Sequence, residues 1–392
     1  MRAIGTSATG VRAPIIKEGD DLNKIVVDSV LTAVESENIK LRDGDIVGIT
    51  ESLVARAQGN YAKLIDIAED INRKYEGDIA VMFPILSRNR FASILKAISL
   101  TGKKIYLFLN YPSDEVGNHL MDIEMMDNSG VNPYTDHLTE EKYREVFGQE
   151  VKHPFTGIDY VQMYKELVGE ENIEVHLTND PRVALQYTKE ILVCNIHERF
   201  RTKKVLEMAG AKTVLSLDEI LTESVNGSGY NERYGLLGSN MATDESIKLF
   251  PRNSKELILN IQKSLKEKTG ANMEVMVYGD GAFKDPVGKI WELADPVVSP
   301  YFTDGLIGTP DEIKIKYIAD NDLTDDASRE EQIKAKIKAK KDRKAIGNEA
   351  LGTTPRQLTD LLGSLCDLIS GSGDKGTPIV LIQGYFDNYA TE

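Results

Sequence analysis

Apolar positions along this chain recur with two different periods. In "EGDDLNKIVVDSVLTAVES" Leu22, Ile25, Val26, Val30 and Ala33 return at helical spacing, with Asp20 or Asp21 placed to cap the first turn. "RNRFASILKAISL", "RFRTKKVLEMAG" and "NSKELILNIQKSLKEKTG" repeat that pattern, and Gly270 ends the last of them. The runs "DIVGIT", "DIAVMFPI", "KKIYLFLNY", "NIEVHLTN", "EILVCNI", "KTVLSL" and "IVLIQGYF" are short and almost continuously apolar, which predicts buried strands. An edge strand is expected to open the chain, and "ESLVARAQGNY" fits a strand or a short helix. Over residues 66–222 runs and helical stretches alternate, which predicts a doubly wound, mostly parallel sheet. Within it, residues 112–156 form no periodic pattern and are rich in Gly, Asn, Asp, His and Pro, a length of loop that needs a functional reason. Residues 322–347 are densely charged and read as a solvated surface helix.

Composition narrows the function classes. The chain has 392 residues, enough for two or three domains, and its 41% hydrophobic and 28% charged content is that of a soluble globular protein. A formal charge of −15 argues against a sequence-independent grip on nucleic acid. It leaves room for an anionic small substrate, because a bound divalent cation inverts the local field. No run of 18 apolar residues occurs and "MRAIGTSATG" has no apolar h-region, so neither a membrane span nor a secretory signal is expected. The two cysteines, Cys194 and Cys366, sit in apolar runs and read as buried reduced thiols, which fits a cytoplasmic protein.

Three glycine-rich loops carry the candidate chemistry. In "VMVYGDGAFKDPVGKIWELADP" (275–296) a buried strand stops at Gly279-Asp280-Gly281. Glycines free the backbone for close approach to a ligand, and a carboxylate at a strand's C-terminal edge suits Mg²⁺ or Mn²⁺. Asp285 lies near enough in sequence to share the ion, and Lys284 and Lys289 offer point charges to phosphates. A tight turn with a solvated ion pair is the plainer alternative. The second loop, "VNGSGYNERYGLLGSNMATDES", is spaced by Gly227, Gly229, Gly235 and Gly238. It ends in Ser239-Asn240 and offers hydroxyl, amide and N–H groups to phosphate or ribose. The third, "GSGDKGTP", is a helix cap at Gly371 followed by a turn. The five histidines form no HxxxH or HExxH pair, and the Walker, GxGxxG and GxSxG patterns are missing.

Taken in order, these stretches resemble the coenzyme F-420-0:L-glutamate ligases, the gamma-glutamyl ligases of deazaflavin biosynthesis. The resemblance rests on "VRAPIIKEGDDLNKIVVDSV" with "LRDGDIVGITESLVARAQGN", and on "GLLGSNMATDESIKLFPRNSKELILNIQKSLKEKTG" with "MEVMVYGDGAFKDPVGKIWELADP". "LTDLLGSLCDLISGSGDKGTPIVLIQG" completes it. It covers about half the chain. It implies an α/β fold with α+β elements: a ligase-like core at residues 1–65, 223–310 and 351–392, an inserted doubly wound unit at 66–222, and a charged helical insertion at 311–350. There are departures. Leu237 stands where the family carries a metal-binding Asp, with Glu232 or Asp244 as replacements. Ser52 stands for a lysine beside Arg56, Gly281 for a hydroxyl residue, and Gln383-Gly384 for Arg-Gly.

The resemblance implies a homodimer that binds L-glutamate, a carboxylate acceptor, GTP and Mg²⁺ or Mn²⁺, and forms an amide through an acyl phosphate. On this reading Asp280 and Asp285 hold the metal. Lys284, Lys289 and Arg56 face phosphate or substrate carboxylates, and Ser239, Asn240, Gly279 and Gly281 hold the nucleotide. A folate-type acceptor keeps the same chemistry. A nucleotide-binding regulator without catalysis is the alternative from another class, and an oxidoreductase is disfavoured by the missing phosphate-binding fingerprints.

Overall fold

The computed structural model describes residues 4–153, 156–279, 299–309, 313–321, 328–339, 357–371 and 375–388, and the backbone at 283–284 and 291–292. The chain divides into two compact units. The first comprises Met1–Val54, Asn253–Ala282 and Val297–Glu392; the second comprises Ala55–Arg252 and Phe283–Pro296.

In chain order, β1 (Ser7–Val11), α1 (Leu22–Ser36), β2 (Ile46–Thr50), α2 (Glu51–Ala57), β3 (Tyr61–Lys63), α3 (Leu64–Lys74), β4 (Ile79–Met82), α4 (Phe91–Ser99) and β5 (Ile105–Leu109) come first. Then follow α5 (Ile123–Asn128), β6 (Leu138–Thr139), α6 (Glu140–Phe147), α7 (Tyr160–Val168), β7 (Ile173–Leu177), β8 (Glu190–Val193), α8 (Arg199–Met208) and β9 (Thr213–Ser216). The last stretch holds β10 (Asn240–Thr243), β11 (Ser246–Lys248), α9 (Ser254–Thr269), β12 (Glu274–Tyr278), β13 (Phe283–Lys284), β14 (Trp291–Glu292) and β15 (Tyr301–Phe302). It closes with α10 (Ile315–Asn321), α11 (Arg329–Ala339), α12 (Leu358–Ser370) and β16 (Ile379–Gln383).

The first unit is built on a five-stranded sheet of order β1-β16-β2-β12-β15. β2 and β12 run parallel and the other pairs antiparallel. β1 is an edge strand, as its position in the chain led us to expect, and it pairs with β16 from the opposite end of the sequence. All five residues of β2 are buried, which accounts for the unbroken apolar run "IVGIT". α12 lays Leu358, Leu362 and Cys366 against Ile46, Met276 and Val380. That approach is close: a Cβ at Gly48 would lie 2.4 Å from the Cys366 Sγ. The helix ends at Gly371 in left-handed conformation, φ 56°. Opposite it in sequence, Asp21 caps α1 by accepting from the Lys24 N–H at 3.0 Å.

The second unit contains a six-stranded sheet of order β6-β7-β5-β4-β8-β9, parallel throughout except for the edge strand β6. Alternate residues serve two cores, as the pleat requires. On β4, Ile79 and Val81 join the core that contains α4 residues Phe91, Ile94 and Leu95. Ala80 and Met82 face the other way, towards Phe108, Ile191, Val193 and Leu206 of α8. Both faces are covered, so the strands read as continuous apolar runs, and the expected doubly wound architecture follows. β3 joins β11 and β10 in a separate three-stranded sheet. The sequence boundaries at 66 and 222 fall inside this unit, which also takes in β3 and residues 223–252. Residues 112–156, without periodicity in sequence, hold α5, β6 and α6 and are fastened by an Arg144–Asp159 ion pair and by the Tyr111 hydroxyl donating to Asp136 O at 2.7 Å. The charged segment contains α11, most of it exposed, as expected for a solvated helix.

His176 on β7 is buried against Phe108 and Tyr187, with its Nδ1 3.2 Å from His137 Nε2. Burial, then the neighbouring His137, lowers its pKa to about 4.

Two predictions follow from this packing. Gly48→Ala overpacks the α12 contact and is expected to destabilise the protein by ~1–3 kcal/mol, and Cys366→Ala in the same chain should recover much of that loss in a thermal melt. The unfolded chain takes up a proton at His176 near the ordinary histidine pKa of ~6.5, whereas the folded chain resists until about 4, so stability should fall as pH drops through that window. His176→Gln should flatten that slope in urea unfolding measured at several pH values.

Candidate functional site

In a doubly wound sheet ligands settle beyond the carboxyl ends of the strands, where the strand order reverses. Here β4 is that place, with β5 on one side and β8 on the other. Two hollows open there, one on each face. On the α8 face lies a polar crevice of about 780 Å³ bordered by Phe83, Asn110, Asn195 and Thr202. The loop that leads into α8 meets a carboxylate of the protein: Glu115 accepts from the backbone N–H of Ile196, of His197 at 3.0 Å and of the N-cap residue Glu198 at 3.1 Å. Burial raises the Glu115 pKa while these N–H groups oppose the rise. Glu115 thus fixes the approach to α8, in a sequence that has no GxGxxG.

On the α4 face lies a mostly apolar cavity of about 250 Å³. Phe91, Ile94, Leu217, Leu236 and Leu237 line it, with Ser87, Asn89, Arg90 and Ser239 supplying the polar groups. Its walls come from the loops after β4, β5, β8 and β9 and from the end of the glycine-rich loop.

That loop does not behave as the flexible stretch its composition suggests. Asn60 is fully buried; its Nδ2 donates to Tyr230 O at 3.1 Å and Phe250 O at 2.7 Å, and its Oδ1 accepts from Tyr230 N at 3.0 Å. Asn231 does the same from inside the loop, donating to Phe250 O and Pro251 O and accepting from the N–H of Arg233 and Tyr234. Gln58 exchanges two hydrogen bonds with the backbone of Arg252. Gly238 has φ 69°, and a Cβ there would come 2.5 Å from the Phe250 ring. Held in this way, Ser239 is 3% exposed and lines the cavity. Its hydroxyl has no partner among the described residues. Asn240 opens β10, and its Oδ1 accepts from Met241 N at 2.9 Å, while that same N–H donates to Asn89 O at 2.8 Å.

Of the residues singled out from sequence, Ser239 and Asn240 are thus adjacent on one wall of the second unit. Arg56 is exposed in the last turn of α2. Gly279 is buried directly after β12 in the first unit. Lys284 belongs to β13, where its backbone pairs with Trp291 of β14. Asp280, Gly281, Asp285 and Lys289 lie outside the described residues. Leu237, in the place of an expected carboxylate, is 2% exposed and packed in the cavity wall, and Glu232 and Asp244 are both exposed. Gln383 is buried and structural: its Nε2 donates to Asp45 Oδ2 at 2.7 Å and Lys40 O at 3.0 Å. Among the described residues no group of three or more His, Cys, Asp or Glu side chains is arranged to hold a metal ion. No described helix is long and apolar enough to cross a membrane. Sequence reasoning missed Asn60, Asn231 and Gln58; the only signal was a run of amides beside glycines, which also describes ordinary turns.

Asn60→Ala removes three hydrogen bonds, leaving the half-buried Tyr230 N–H and C=O without that partner and the Phe250 carbonyl with Asn231 alone, so it is expected to cost ~2 kcal/mol or more in denaturant unfolding.

The family model described as F420-0:Gamma-glutamyl ligase matches residues 10–384. No curated protein matches the chain. The matched region takes in nearly the whole sequence, including the Ser239-Asn240 wall, the strand that ends at Gly279 and the closing β16. The chain therefore belongs to the F420-0:gamma-glutamyl ligases, enzymes that attach glutamate by forming a C–N bond.

Proposed function

We propose that the protein uses GTP and a divalent cation to add L-glutamate to the carboxylate of a small-molecule acceptor, of the F420-0 type, through an acyl phosphate. The family match over residues 10–384 is the observation that carries this reading. A carboxylate has no leaving group that an amine can displace, so it must first be activated. The acceptor's carboxylate oxygen attacks the terminal phosphorus of GTP, an O–P bond forms, the bond to GDP breaks, and an acyl phosphate results. The glutamate amine then attacks the acyl carbon, the C–N bond forms, phosphate departs, and the amine proton is lost to solvent or a base.

The protein's part is positioning and charge stabilisation, which is what phosphoryl transfer needs most. Asp280 and Asp285 would hold Mg²⁺ or Mn²⁺; glycine-flanked carboxylates match the preference of these ions for hard oxygen donors. When bound, the cation neutralises charge on the transferring phosphoryl group. Lys284, Lys289 and Arg56 would face phosphate or substrate carboxylates. Ser239, Asn240, Gly279 and Gly281 would contact the nucleotide, and the partnerless Ser239 hydroxyl supports that role. A homodimer acting in the cytoplasm completes the reading.

One observation favours a shifted acceptor such as a folate. Leu237 sits buried in an apolar wall where a carboxylate would be desolvated without a partner, so this member differs from the family pattern at its substrate-facing loop.

The test is phosphate release from purified protein with GTP, Mg²⁺ and L-glutamate, assayed with deazaflavin and folate acceptors in turn. Release that requires both glutamate and an acceptor, with a product heavier by one glutamyl residue in mass spectrometry, is expected. Asp280→Asn should lower turnover by a factor of about 10² or more. No acceptor-dependent release, or wild-type turnover in that variant, would overturn the assignment.

A further inference from the structure

The apolar cavity on the α4 face is lined by residues of the core that packs on β4, and it lies where α/β folds place ligands. Its chemistry is two-sided. Most of the lining is aliphatic or aromatic, and the polar exceptions are few: Ser87, Asn89, Arg90, Asn118 and Ser239. Ser87 is already committed, accepting from the N–H of Arg90 and Phe91 at the start of α4, and Asn118 donates to Asp114. The Ser239 hydroxyl and the side-chain amide of the exposed Asn89 have no partner among the described residues, so hydrogen-bonding capacity remains at one border of a mostly apolar hollow.

Size restricts the occupant. An apolar cavity of roughly 150 Å³ takes one benzene ring. At about 250 Å³ this one has room for a fused ring system of two or three rings. An alkyl chain would leave Ser239 and Asn89 unused. A sugar would waste the aliphatic walls. A flat heteroaromatic ring satisfies both, since its faces are apolar and its edge carries hydrogen-bonding atoms.

We propose that this cavity, with Leu236 and Leu237 on one wall, Phe91 and Ile94 on another and Ser239 at its border, binds the fused heteroaromatic ring of a substrate. Two sources share that chemistry, the guanine of the nucleotide and the ring of the acceptor. The inference rests on the ligase reading for its substrates, and it adds a seat for the ring that the glutamate-transfer chemistry does not itself require.

The experiment titrates the full-length protein with guanosine and, separately, with a deazaflavin nucleoside, both free of phosphate, by calorimetry and by fluorescence polarisation. Saturable binding of guanosine assigns the seat to the nucleobase; saturable binding of the deazaflavin assigns it to the acceptor. Ile85→Trp and Val116→Trp fill the cavity from two different loops at partly exposed positions. Each should weaken binding of the recognised ring by roughly tenfold or more without lowering the melting temperature. If a tryptophan variant melts early, Ser239→Ala serves instead and should weaken binding by roughly threefold to tenfold. Failure of both probes to saturate at millimolar concentration, or unchanged affinity in the variants, overturns the proposal. The two readings fail separately. Ring binding that Ile85→Trp weakens, in a protein without acceptor-dependent phosphate release, upholds the cavity and removes the ligase assignment. Ligation with unaltered KM for GTP and acceptor in Ile85→Trp removes the cavity and leaves the ligase assignment intact.

Discussion

The carboxamide of Asn60 governs the second unit. It is sealed from water, and it gives two protons to carbonyls of a loop nearly two hundred residues away while taking one back. Only an amide can do this: a carboxylate lacks the donors, and an aliphatic side chain of that size leaves the Tyr230 N–H and C=O without this partner. Asn231 repeats the arrangement from the other side and shares the Phe250 carbonyl. The pair converts a glycine-rich segment from a string of conformational options into a fixed wall. The position of Ser239 and the shape of the cavity are consequences of that wall.

The first unit relies on a different device. β2 and β16 lie inside the sheet and are wholly buried. Asp45, at the turn into β2, is 1% exposed and accepts from the Arg42 N–H and from the Gln383 amide. A buried carboxylate without such donors would be costly. Gln383 therefore links the turn before β2 to the end of β16, a structural role for a position where the resemblance led us to expect arginine. The closeness of α12 to β2 allows no side chain at residue 48. Polar satisfaction and steric fit thus meet at the same strand.

Periodicity revealed much of this architecture because burial on two faces leaves a plain mark. The runs that became β4 and β5 are apolar throughout and that of β8 is so after Glu190, since both faces are covered, while β7 is interrupted by Glu174 and His176; the helices between them show one apolar stripe. Pairing order was not visible. Nothing in "SATGV" says that it will lie beside the strand at the far end of the chain, because antiparallel partners share no local signal. The cavity was invisible for the same reason: Ile94, Leu217 and Leu236 are unremarkable aliphatic residues until the fold assembles them. Ser239 and Asn240 are marked by the glycine spacing and polar groups of their loop as well as by resemblance, and Leu237 could be seen to depart from the pattern, though not that it would be packed into the cavity wall. Asn60 reads as one more polar residue after a glycine.

The Glu115 carboxylate has a wider bearing. It is an intramolecular ligand of the three amides just before α8, tethered to the structure it occupies. Any free anion seeking the same three N–H groups must compete against a rival whose effective concentration is set by the chain and, for short flexible tethers, lies in the millimolar range. The loop that leads into α8 is thus held by a side chain of the protein itself, at the carboxyl end of the sheet where folds of this class receive ligands.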